Sequence, residues 1–251
     1  MKGLDVKGML GKETIDKAID QVKKGTVSGS DGFDTGFYAI PCVREALGDH
    51  LRVMFAEIRK DRRMPESMRR VRLSMLHKGK GRSVLEPKNY RPIAVTNTAY
   101  RVMMKAVQLK LAPVVTKVVG KTQVAYLTDG RRIWDNTLLL AEVARMLEAE
   151  GEGGAAVQVD NTAAFDRVEW EFLQEIMEAM GFPEDFRKFV SEVYTDLQFA
   201  IKVNGRTGGD KGVSNGVRQG CPASPLIFLI VQEALLAAIR GDAMLRGVAV
   251  G

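Results

Sequence analysis

The chain has 251 residues, 45% of them hydrophobic and 27% charged, which is enough apolar material for the core of one large domain or two small ones. No uninterrupted run approaches eighteen apolar residues, and the start lacks an apolar segment before a small-residue cleavage site. A membrane span and a secretory leader are therefore not expected, and an intracellular setting, nuclear or cytoplasmic, is. Lys and Arg outnumber Asp and Glu by 37 to 31, but unevenly: residues 51–110 hold sixteen basic and four acidic side chains, residues 141–200 four and fourteen.

In chain order, residues 12–24 read as an amphipathic helix with Ile15, Ala18, Ile19 and Val22 on one stripe. A small-residue loop follows over 25–32. Helical pattern then returns, interrupted by Pro41, and runs to about Lys60. Seven basic residues fall within 59–72 and lead into an alternating strand, 71–76, with a basic hairpin tip at 77–83. A helix over 98–111 is expected to stop at Pro113, and another over 132–149 places Ile133, Leu140, Ala144 and Leu147 in phase before a glycine turn at 151–154.

Residues 155–160 read as a short apolar strand finishing on Asp160, then come helices over 168–180 and from Pro183. Phe199, Ile201 and Val203 alternate up to Asn204-Gly205, a strong two-residue hairpin signal. A tight loop at 216–222 precedes an apolar helix over 224–240. Interleaved helices and strands with a hairpin indicate an α+β fold. Three segments are drawn: an N-terminal helical 1–58, then 59–150 and 151–251. Cys42 and Cys221 lie far apart without metal-ligand spacing, so neither a disulfide framework nor a zinc site is expected.

The charge asymmetry admits two readings, solvated helix faces or a basic part that holds a polyanion and an acidic part that holds cations. A carboxylate at a strand end, such as Asp160, is a good platform for a hard cation; Asp is also a common helix cap, a role that Asp166 fits better than Asp160.

The order of segments carries more. Gly25 through Phe33 is similar to a "GxxxGxDG" segment, Asn89-Tyr-Arg-Pro-Ile93 to a "YRPI" block, and Gln123-Val-Ala-Tyr126 with Gly130-Arg-Arg-Ile133 and Asp135-Asn136 to a "QxGF…GR…DN" block. Asp160 through Trp170 resembles "DxxxAFDRVxW", and Val203-Asn-Gly205 with 216–225 resembles "VNG…GVRQGCPLSP". Five blocks in this order resemble the reverse transcriptase domain of non-LTR (LINE-type) retrotransposons, from about residue 12 onward.

The resemblance implies a right-hand polymerase fold, with fingers and their palm-ward helices over 59–150 and an incomplete palm over 151–251. It implies an RNA-directed DNA polymerase that takes an RNA template, a DNA primer and deoxynucleoside triphosphates, with two Mg²⁺ ions as cofactors. Asp160 would be the catalytic carboxylate and, with the main-chain oxygen of Asn161, a metal ligand. Arg91, Lys78, Lys80, Phe165, Gln219 and Gly220 would meet the incoming nucleotide, and Arg62, Arg63, Arg69, Arg70 and Arg131 the nucleic acid. By themselves Arg91 reads equally as a surface arginine before a proline, Gln219-Gly220 as an ordinary turn and Phe165 as a core residue.

Two departures from the family pattern stand out. Asn161 occupies a position usually aromatic or apolar, and no Asp-Asp pair, the hallmark of the family's next block, occurs in the 251 residues. A chain without that block is expected to be inactive alone. It could be a fragment of the polymerase domain, a non-catalytic nucleic-acid-binding descendant of the fold, or a degenerate remnant.

Overall fold

The structure is a computed structural model, and it describes residues 4–127, 129–151, 153–245 and 247. Helices dominate the N-terminal part: α1 (Val6–Met9), α2 (Lys12–Gln21), α3 (Thr35–Ala39), α4 (Pro41–Asp61) and α5 (Glu66–Arg69). Strands β1 (Arg70–His77) and β2 (Tyr90–Val95) follow, then the long helices α6 (Thr98–Val118) and α7 (Ile133–Glu150). A 3-10 turn (Ala164–Arg167) precedes α8 (Trp170–Ala179) and α9 (Glu184–Tyr194). Strands β3 (Gln198–Val203), β4 (Arg206–Thr207) and β5 (Lys211–Gly212) lead to α10 (Ser224–Gly241).

The five strands form one mixed sheet. β1 pairs antiparallel with β2 on one side and parallel with β3 on the other, so a long crossover brings the chain back beside its earlier strand. Asn204 and Gly205 take positive φ (48° and 80°) between β3 and β4, the conformation that a two-residue hairpin of matching twist requires. The α+β expectation holds. Val71 and Ala94 face a buried apolar core shared with α2, α4, α6, α8, α9 and α10.

Three local expectations are corrected. Helix α6 does not stop at Pro113 but runs on to Val118. A mid-helix proline costs about 3 kcal/mol, and burial of Leu111, Ala112 and Val115 around it outweighs that loss. Residues 153–161 are coil rather than strand, with Val157 and Val159 strongly exposed. An apolar run becomes a strand only when another backbone satisfies its ladder, and no described strand lies beside it. Asp166 caps no helix: it sits inside the 3-10 turn, and α8 starts after Glu169 with no side-chain cap.

Helix α10 forms over Ser224–Gly241, where an apolar helix was expected. Over 18 residues its mean hydropathy is 1.5, long and apolar enough to cross a membrane by length and composition despite the polar residues that interrupt it. In this fold Leu226, Ile227, Leu229 and Ile230 serve the core. Helix α7 forms where its periodicity predicts, but none of its residues is buried, and Ile133, Leu138 and Leu140 are exposed. Glu152, in the glycine turn expected after it, lies outside the described residues.

The glycine-rich N-terminal loop is held by α6. Asn97 Oδ1 accepts the Ser30 main-chain N–H (2.9 Å) and hydroxyl (3.2 Å), its amide donates to the Ser67 carbonyl, and the Thr98 hydroxyl donates to the Phe33 carbonyl. A Cβ at Gly29 would lie 2.0 Å from Asn97 Oδ1. The second glycine of the "GxxxGxDG" segment is therefore there for close approach, not for turn freedom.

Candidate active site

The 213–222 loop brings the two most distinctive sequence blocks together. The Val217 N–H donates to the Phe165 carbonyl and the Gly216 N–H to the Val168 carbonyl, both at 2.7 Å. The Trp170 indole donates back to the Gly216 carbonyl at 2.9 Å. On its other flank the loop joins the sheet, with the Ala94 N–H donating to the Gln219 carbonyl at 2.9 Å. Two glycines permit this. Gly216 (φ 91°) lies so near the Asp166 backbone that a Cβ would meet it at 3.1 Å, and a Cβ at Gly220 (φ 99°) would stand 3.3 Å from the Ala94 carbonyl.

Arg218 anchors the loop from below. It is 2% exposed, donates to the Met68 carbonyl (3.0 Å) and the Val193 carbonyl (3.1 Å), and lies 4.2 Å from the Tyr100 ring centroid. Planar stacking plus two donors is a use of arginine that lysine cannot reproduce. Burial pushes the Tyr100 hydroxyl well above its usual range, so it stays a neutral donor, 3.5 Å from Cys221 Sγ. Sequence reading passed over Arg218 because an arginine inside a glycine turn looks like a surface residue.

Above this anchor Gln219 and Asp166 line a cavity of about 250 Å³ with Leu73, Pro92, Ala94 and Phe199, and the Gln219 amide donates to Asp166 Oδ1 at 2.8 Å. Phe165 is half-buried and stacks on Phe228 of α10, centroids 5.1 Å apart.

Asp160 and Asn161 line a larger, open groove of about 850 Å³ between the 160–169 segment, α8 and α10, whose walls include Phe172, Phe228 and Leu235. The donors fit a hard divalent cation in kind, since both offer oxygen. They do not fit in number: Asp160 is one carboxylate, and the described residues hold no cluster of three His, Cys, Asp or Glu side chains around a common point. The residues present do not complete the shell of two ions.

The basic residues separate into two groups. Arg63 and Arg69 both reach Asp196 (3.6 Å each), and Arg69 also donates to the Met64 carbonyl. Arg70 pairs with Glu66 at 3.1 Å and with Asp210. Arg62 takes a left-handed backbone at the end of α4; Lys188 holds the Glu184 carboxyl below its usual range with a small contribution from Arg62, while burial raises that of Glu192 against the opposing charge of Arg62. Arg131 donates to the carbonyls of Thr116, Gly120 and Gln123 and pairs with Asp129 at 2.6 Å, so it clasps the chain after α6.

The second group lies at the β1–β2 end. Lys78 donates to the Lys88 carbonyl and has no carboxylate partner among the described residues. Lys80 (φ 58°) and Arg91 are exposed and without ion pairs among the described residues. Arg91 stands opposite Leu76 in the ladder, and it is not part of the Gln219–Asp166 cavity lining.

A mixed sheet flanked by helices, with the 165–168 turn locked to the 216–221 loop, suits a polymerase-type fold. The chain matches the family described as reverse transcriptase (RNA-dependent DNA polymerase) over residues 76–249, and it belongs to that family. Its relatives are of the non-LTR retrotransposon kind. It is 28% identical over 228 residues, 91% of its length, to the uncharacterized 149 kDa protein of transposon TX1 from Xenopus laevis. It is 30% identical over 107 residues, 43% of its length, to the Pol polyprotein of a type-1 R2 retrotransposable element from Popillia japonica. The chain spans only 17% and 18% of these two relatives. Among solved structures, a chain of a partial Cas6-RT-Cas1–Cas2 complex shares the fold with a TM-score of 0.51 at 16% identity, over 94% of this chain and 35% of that one.

Proposed function

We propose that these residues form the fingers and the first catalytic block of an RNA-directed DNA polymerase, which lengthens a DNA primer with deoxynucleotides along an RNA template. The observation that carries this reading is the seating of the 216–221 loop on residues 165–168, which brings Asp166 and Gln219 together on one cavity at the edge of the sheet. In the reaction the primer 3′-hydroxyl attacks the α-phosphorus and pyrophosphate leaves. Such phosphoryl transfer asks the protein for positioning and charge neutralisation rather than covalent chemistry.

Asp160 supplies a negative charge and oxygen donors in the larger groove, with the Asn161 main-chain oxygen as a neighbouring donor. Reverse transcriptases as a family use divalent metal, and Mg²⁺ suits these oxygen donors. Arg91, Lys78 and Lys80 neutralise the triphosphate, arginine by its planar two-bond fork. The ring of Phe165 underlies the sugar and leaves a 2′-hydroxyl neither room nor a hydrogen-bond partner.

The test is primer extension on an RNA template by a polypeptide carrying these 251 residues together with a Tyr/Phe-Ala-Asp-Asp hairpin. Extension is expected, and Asp160→Ala should reduce it by at least about a hundredfold. The 251-residue polypeptide alone should give none. Absence of extension by the longer polypeptide overturns the polymerase reading, and extension by the shorter one, lost in Asp160→Ala, overturns the need for a second carboxylate block.

A further inference from the structure

We infer that Asp166 is a positioning residue that fixes the amide of Gln219 with its carbonyl oxygen toward the incoming nucleotide, where it accepts a hydrogen bond from the sugar 3′-hydroxyl. The inference rests on the polymerase reading above and adds to it a residue whose sequence signal was a helix cap.

The geometry supports it from three directions. Gln219 Nε2 stands 2.8 Å from Asp166 Oδ1. An ionised carboxylate can only accept, so it selects the Gln219 rotamer that turns nitrogen toward Asp166 and oxygen away. Both ends of this contact are held by backbone. Asp166 N–H donates to the Ala163 carbonyl, and Gly216 packs so close to the Asp166 main chain that a Cβ would meet its carbonyl oxygen at 3.1 Å. Gln219 is held through its carbonyl on Ala94 and through the buried Arg218 beside it. An amide held at one end and facing an open cavity presents a constant pattern to whatever enters: one carbonyl acceptor and one remaining N–H.

The chemistry of the ligand follows from what a template-directed site must tolerate. The four deoxynucleotides differ in the donors on their bases, and a fixed acceptor that met a base edge would favour some of them. The triphosphate oxygens only accept, and the hydrogen-bond donor common to all four is the 3′-hydroxyl. A fixed acceptor serves every substrate equally only when it faces that group. A free amide, by contrast, turns its N–H₂ toward the hydroxyl part of the time and reads sugar less sharply.

The experiment compares dTTP with its 2′,3′-dideoxy analogue in the polypeptide that also carries the Asp-Asp hairpin. Asp166→Asn should lower the dTTP/dideoxy-TTP ratio of kcat/KM roughly three- to tenfold, the scale of one hydrogen bond. The loss should fall mainly on the KM for dTTP, with the melting temperature little changed. Gln219→Glu added to Asp166→Asn should restore the ratio. The new amide at 166 then donates to the carboxylate at 219, whose other oxygen still accepts. An unchanged ratio in Asp166→Asn, or failure of the double variant to recover it, overturns the inference.

A second measurement needs no activity. In the 251-residue chain without nucleotide, Asp166→Asn should shift the side-chain amide resonances of Gln219 and leave those of the backbone at Arg218 and Cys221 in place. Unmoved Gln219 resonances overturn the contact itself. An inactive parent polypeptide would instead defeat the polymerase reading, and this second arm would still decide whether Asp166 sets the amide.

Discussion

Arg218 is buried without a carboxylate beside it, and its charge is met by two carbonyls from separate elements and the face of Tyr100. Replacing it by alanine would leave the Met68 and Val193 carbonyls unpaired around a new cavity. We expect Arg218→Ala to cost about 3–5 kcal/mol and Arg218→Lys to recover only part of it, as read by urea unfolding. Phe165 poses a different question at the same scale. It is half-buried and stacks on Phe228, so it packs between the 165–168 turn and α10. Phe165→Ala should cost roughly 2 kcal/mol, about half the usual range for a buried phenylalanine. A double-mutant cycle with Phe228→Ala should show coupling of about 1 kcal/mol from the stacked pair. No coupling would mean that the rings do not share an environment in solution.

At the scale of elements, the sequence showed what depends on neighbours in the chain. Periodicity placed α2, α4, α7, α8, α9 and α10 within a few residues, and Asn204-Gly205 announced the β3–β4 turn, because helix faces and two-residue turns are local properties. It could not show that β1 pairs in parallel with β3, a contact separated by well over a hundred residues, nor that Gly29 and Gly216 are required by groups far off in sequence. The candidate site was legible in its residue types and not in their contacts: Gln219 was expected at the nucleotide, but its bond to Asp166 was not. Residues 153–161 make the same point in reverse. Their apolar character is strand-like, yet strand geometry needs a partner, and the segment is exposed coil beside the groove that holds Asp160. Its amides should therefore exchange with solvent at nearly unprotected rates in the 251-residue chain, while those of β1 and β3 are protected. Adding the Asp-Asp hairpin should raise protection at 155–160. Protection already present in the shorter chain would show that this segment finds another partner.

The charge distribution is a property of the whole molecule, and its two halves meet. The basic stretch 59–72 lies against acidic residues from the other half: Arg63 and Arg69 on Asp196, Arg70 on Asp210, Arg62 near Glu184 and Glu192. An arginine already facing a carboxylate attracts fewer counterions and gives up little on meeting a phosphate. The β1–β2 end differs, since Lys80, Arg82 and Arg91 have no ion pair among the described residues. These two regions make opposite predictions for RNA binding. The logarithm of the affinity falls with the logarithm of salt by about 0.7–0.9 per neutralised phosphate. Replacing Lys80, Arg82 and Arg91 with Ser should reduce that slope by roughly two. Replacing Arg62, Arg63, Arg69 and Arg70 with Ser should change it by less than about one, despite removing four charges. The second variant should instead lose a little stability, because Asp196 and Asp210 each lose their arginine partners. Titrations of both variants with a primer–template hairpin across a range of salt decide the matter. A larger change of slope in the 62–70 variant would place the nucleic acid on the helix α4–strand β1 corner, rather than on the hairpin tip.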